Sequence, residues 1–133
     1  MRRIDTPRIA LVLVLSLTFS SCLLLAGAGV GYVVSQEVLP NSVHETQVAD
    51  DVDHVWKSVR ETTDILADLR AETLTNDFPR RIETTIDGAT VKIEVEAHDI
   101  DRTLIRVTAE KYLAADSATA EKVMNKLIQR LRK

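Results

Sequence analysis

The residues of this 133-residue chain that could hold a metal or move a proton fall into a few short clusters. Asp50, Asp51 and Asp53 lie beside His54, with His44 a little upstream, and their oxygen and imidazole donors would suit a divalent cation. The same carboxylates at the start of an apolar stripe are also the types that cap a helix and complement its dipole, and capping is their expected role. His98, Asp99 and Asp101 form a second group, in a segment where Asp is favoured for local backbone bonding in a turn. The sequence contains no dense twelve-residue calcium loop, so no metal site is expected at either place. Glu94 and Glu96 stand two residues apart, about 7 Å along a strand, a spacing at which paired carboxylates could do acid–base work. Lys92 shares their face, and a solvated charged surface is the expected outcome. Ser58, Ser117 and the threonines lack a nucleophile elbow, a base and an orienting group. Neither catalysis nor a cofactor is expected. The single cysteine, Cys22, excludes an internal disulfide framework and a multi-cysteine zinc site.

Cys22 draws attention through its position. No charged residue occurs from Ile9 to Gln36, a run of 28, while charged residues make up 28% of the whole chain. A surface segment of a simple cytoplasmic globule would not go that long without charge. Arg2, Arg3 and Arg8 precede the run as a positive flank, softened by Asp5, and Ile9 to Phe19 is an apolar stretch of signal-peptide length. Small Ser20 and Ser21 then precede the cysteine, leaving room for a peptidase. Phe19-Ser20-Ser21-Cys22 resembles the lipobox of bacterial lipoproteins, with Phe19 standing where Leu is usual. That resemblance implies cleavage between Ser21 and Cys22, lipidation of Cys22, and a multiply acylated, firm membrane anchor. Leu23 stands where, under the enterobacterial sorting rule, an Asp would retain the protein at the inner membrane. An outer-membrane lipoprotein facing the periplasm is therefore expected. The alternative is an uncleaved helix over Ile9 to Val34, long enough for a tilted span, with the arginines holding its N-terminus inside. Both readings export the remainder of the chain. Cleavage removes three Arg and one Asp, taking the formal charge from −3 to −5, and this balance excludes a nucleic-acid partner.

The sequence divides into a signal peptide at 1–21, a lipidated cysteine with a small-residue apolar tether at 22–42, and a folded domain at 43–133. Gly27, Gly29 and Gly31 alternate, yet no strand and helix frame them as a phosphate loop requires. Leu23 to Val34 is instead expected to lie in lipid or against a partner chain, and Pro40-Asn41 to mark the domain boundary. Val43 to Val48 predicts a first strand. Asp50 or Asp51 then caps a helix over about 51–69, with Val52, Val55, Trp56, Val59, Leu66 and Leu69 as its stripe. Trp56 on that stripe is expected in the core. Ala71 to Arg81 reads as an irregular strand or loop, with Arg80 and Arg81 beside Phe78 as a weak patch for headgroups or a protein. Ile82, Thr84 and Ile86 alternate, Asp87-Gly88 is a hairpin signal, and Val91, Ile93, Val95 and Ala97 alternate again. His98 to Arg102 turns the chain into a third alternating strand at Ile105, Val107 and Ala109. Asp116 or Ser117 caps a last helix striped by Ala120, Val123, Met124, Leu127, Ile128 and Leu131. Two amphipathic helices can bury their stripes on one face of an antiparallel sheet, giving an α+β two-layer sandwich ordered β-α-β-β-β-α.

Taken together, the lipobox, the segment Leu23 to Val34, the strand residues Thr46 to Val48, Val52-Asp53-His54-Val55-Trp56 and the Asp87-Gly88 hairpin resemble a family of uncharacterised bacterial lipoproteins. The resemblance covers most of the chain after Cys22. It implies the location and the fold, and it carries no catalytic residues. The expectation is a small binding or scaffolding domain, held to the membrane through Cys22, with an envelope protein as partner. The other readings are a single-span membrane accessory protein and an envelope metal-binding protein or enzyme.

Overall fold

A computed structural model describes residues 33–133. The expected signal peptide, the Ser21 and Cys22 cleavage and lipidation site, and the tether as far as residue 32 lie outside the described residues.

Strands β1 (Val33–Leu39), β2 (Val43–Val48), β3 (Glu72–Thr75), β4 (Arg80–Ile86), β5 (Ala89–Asp99) and β6 (Arg102–Lys111) form one sheet in the order β1-β2-β6-β5-β4-β3. Every pairing is antiparallel, and a two-residue β7 (Ala114–Ala115) folds back on β6. Helices α1 (Val52–Leu66) and α2 (Ser117–Leu131) cover one face. The fold is α+β and two-layered, and the expected element order stands with β1, β3 and β7 added to it.

Alternation decides which face is dry. In β5, Ala89, Val91, Ile93 and Val95 are buried while Thr90, Lys92 and Glu96 are exposed, as a side-chain period of two requires. The buried set continues across the sheet, because Ile93 lies opposite Ile82 on β4 and Val107 on β6. Val55, Trp56 and Val59 of α1 and Ala120, Val123, Met124, Leu127 and Leu131 of α2 close over it. Asp51 caps α1 by accepting the N–H of Asp53 at 2.8 Å, and Asp116 caps α2 by accepting the N–H of Thr119 at 3.1 Å. Asp87 and Gly88 have φ of 53° and 73°, the left-handed pair that a tight two-residue hairpin demands.

Three boundaries differ from the sequence reading. The helix expected to reach residue 69 stops at Leu66. Asp68 donates its N–H to the Thr85 carbonyl at 2.7 Å and its carboxylate accepts the Gly88 N–H at 2.9 Å, which pulls the chain off the helix axis and leaves Leu69 exposed. Ala97, expected on the buried face, is exposed near the end of β5, although its register with the buried Thr103 of β6 is regular and shifts only beyond it, between Ala97 and Asp99. The third difference is the boundary at residue 43. Pro40 to Ser42 make a turn inside the sheet, with Asn41 and Ser42 at positive φ, and Val33 to Leu39 pair with β2 as an edge strand. Residues 33–39, assigned to the tether, are thus part of the sheet. No alternation announced β1 because both of its faces are largely open, and only its two end residues are half-buried.

Candidate functional site

The Asp50–His54 cluster is a helix start. Asp51 is occupied as the cap, the Asp50 carboxylate meets His54 Nδ1 at 2.5 Å, and Asp53 accepts from Arg80 at 2.5 Å. His44, grouped with them on sequence, belongs elsewhere. It points from β2 into the core, buried, and its Nε2 shares a 2.9 Å hydrogen bond with the hydroxyl of Ser117 in the first turn of α2. His98, Asp99 and Asp101 are exposed around the β5–β6 turn, where Asp99 accepts the N–H of Ile100 at 2.8 Å. Among the described residues, no three His, Cys, Asp or Glu side chains converge as a metal-holding group.

Glu94 and Glu96 do share the open face of the sheet, and each has its own cation. Arg81 reaches Glu94 at 2.8 Å, while Arg106 reaches Glu45 at 2.7 Å and Glu96 at 3.3 Å. Lys92 and Glu83 face each other at 3.8 Å. The hydrogen bond from Arg106 to the Glu45 carboxylate raises the guanidinium pKa above its ordinary value. Opposite charges therefore alternate across four strands, β2, β6, β5 and β4, and no described element covers them. Two carboxylates held this way are charge partners for arginine rather than a proton-exchanging pair.

Two features escaped the sequence reading. The first is Arg80, whose guanidinium lies 4.9 Å from the Phe78 ring centroid and 5.9 Å from that of Trp56 while it pairs with Asp53. Expected as part of a surface patch, Arg80 is instead a clamp between the start of α1 and the start of β4, with only 15% of its side chain exposed. Trp56 is in the core, as its place on the helix stripe predicts. The second is a groove of about 440 Å³ between the helices, bounded by His54, Ser58 and Ile65 on one side and Lys126 and Gln129 on the other. Glu61 and Arg130 bridge it at 2.5 Å, and this bond holds the Glu61 carboxyl below its ordinary range. Interhelical pairs of this kind are written in two segments 69 residues apart, so no local pattern announces them.

No described helix is long and apolar enough to cross a membrane. Compared with known proteins, the chain matches no family model and no curated protein.

Proposed function

We propose that this chain is a membrane-anchored envelope lipoprotein whose small α+β domain binds or scaffolds a partner protein through the open face of its sheet. The observation that carries the binding role is that both helices occupy one face and leave the other, a lattice of Arg81, Lys92, Arg106, Glu45, Glu83, Glu94 and Glu96, facing solvent. A planar surface of alternating charge supplies register and orientation to a complementary surface more than raw affinity. The anchoring role rests on Phe19-Ser20-Ser21-Cys22. With Cys22 as the lipidated N-terminus, only ten residues separate the lipid from β1, a reach of at most about 35 Å. A domain on so short a lead works close to the bilayer, and the proposed location is the outer membrane facing the periplasm.

Metabolic labelling with a palmitate analogue tests the anchor. Wild type takes up label and Cys22→Ser does not; equal labelling of both removes the lipoprotein reading and leaves the single-span accessory protein. For the binding surface, a photo-crosslinking residue at Thr108, on the open face of β6, is compared with one at Glu121, exposed on α2. A discrete adduct from Thr108 alone supports the open face as the contact, and the reverse pattern overturns it.

A further inference from the structure

The two edges of the sheet are protected unequally. At one edge β3 has four residues and its register with β4 shifts between Thr73 and Thr75. Shortness and irregularity of this kind keep an edge from pairing with another chain. At the other edge β1 has seven residues, contains no Lys and no Pro, and carries one charge, Glu37. From Ser35 to Leu39 its register with β2 is unbroken, and among the described residues no strand lies on its outer side. Val34 and Val38 are 47% and 63% exposed. One register shift, between Val33 and Ser35, precedes a regular stretch of five residues. That stretch, with an exposed valine at Val38 and, among the described residues, an unpaired outer row of backbone donors and acceptors, is a template for strand addition.

We propose that β1 pairs antiparallel with β1 of a second copy of this chain about a two-fold axis at Gln36, joining two sheets into one. The occupant follows from the strand's own sequence, Val33-Val-Ser-Gln-Glu-Val-Leu39, which is apolar at both ends and polar in the middle. Antiparallel pairing centred on Gln36 sets Val34 against the partner's Val38, Ser35 against the partner's Glu37, and Gln36 against itself. Both valines then cover each other twice over, and each Glu37 faces a hydroxyl. In-register parallel pairing would instead put the two Glu37 carboxylates side by side, which is unfavourable between neighbouring strands. The interface is isologous, so it closes at two copies and leaves the short, irregular β3 edges as the new ends. Both leads of ten residues can reach one bilayer when the paired strands lie along its surface.

Cysteine crosslinking of the full-length chain in detergent, in a Cys22→Ser background, tests this independently of the lipid anchor. Gln36→Cys places two thiols opposite each other across the axis, within disulfide reach. Mild oxidation is expected to give a covalent dimer that reductant dissolves. Ser35→Cys places the two thiols diagonally, about 7–8 Å apart between backbones, and is expected to crosslink at least about tenfold less. Adding Val38→Lys to Gln36→Cys is expected to lower the dimer yield by a similar factor while leaving unchanged the thermal midpoint measured under reductant at a dilution where both variants are monomeric, since Val38 is exposed in the single copy. Equal crosslinking at 35 and 36 overturns the antiparallel register. A monomeric mass by light scattering at high concentration, with no Gln36→Cys dimer, overturns the pairing itself.

Discussion

The covered and open faces of the sheet are made by the same strands, one residue to each side in turn, and they obey different physics. On the covered face Val91, Ile93, Val95, Ile105 and Val107 are 0% exposed, locked under two helices. On the open face their immediate neighbours Lys92, Glu94 and Arg106 pair with Glu83, with Arg81, and with Glu45 and Glu96 respectively, in ion pairs that water can reach. Truncating a side chain on the first face leaves a void that the close-packed interior fills only in part. Truncating one on the second leaves a gap that water fills at little cost. Stability is therefore concentrated on one face, and the other is free to be shaped by what it contacts.

The largest loss of stability is expected at the dry centre of the sheet. Ile93→Ala, facing Ile82 and Val107, is expected to lower the unfolding free energy by about 2–5 kcal/mol in urea titrations. A smaller effect of the opposite sign is expected from Thr46→Val. The Thr46 hydroxyl is fully buried on the covered face and has no hydrogen-bond partner, so exchanging it for a methyl group is expected to stabilise by up to about 1 kcal/mol. A less stable Thr46→Val protein would show that the hydroxyl is satisfied after all. On the open face, Arg106→Ala loses its bonds to both Glu45 and Glu96, yet its side chain is 36% exposed, and a destabilisation of only a few tenths of a kcal/mol is expected, shrinking further at high salt. A loss as large as that of Ile93→Ala would abolish the distinction between the faces.

Acid provides the mildest test. Glu61, bonded to Arg130, and Asp116, bonded to the Thr119 hydroxyl and N–H, both titrate below their ordinary values of 4.5 and 3.8 in the folded chain. Each binds its proton more weakly folded than unfolded. The stability each contributes is complete above its ordinary value and is lost as pH falls through the lowered one. Unfolding midpoints are accordingly expected to fall as pH drops below about 4.5, and Glu61→Gln combined with Asp116→Asn to flatten that decline.

Much of this architecture was legible because it is local. The alternation of β5, the Asp87-Gly88 turn, the caps at Asp51 and Asp116 and the stripe of α2 all depend on residues within a few positions of one another. His44 shows where that reading stops. In the sequence it stands near three aspartates; in the sheet, its register opposite Val107 turns it inward to Ser117, 73 residues away. Arg80 is a similar case, since its ring partner Trp56 and its anion Asp53 come from a helix that precedes it by two dozen residues. β1 was hidden for another reason. An edge strand with both faces open has no buried side to impose a period of two, so nothing in Val33 to Leu39 distinguished strand from tether.

The class of fold, the two helices and their capping residues, the central hairpin and the existence of one wet sheet face are written in the linear chain, because periodicity and turn chemistry act over short spans. Which carboxylates receive an arginine, that His44 is a buried link between layers, and that Val33 to Leu39 belong to the sheet emerge only from the folded chain. Those outcomes depend on which strands become neighbours, and strand neighbours are chosen by burial of a shared apolar face, a property that no single segment possesses alone.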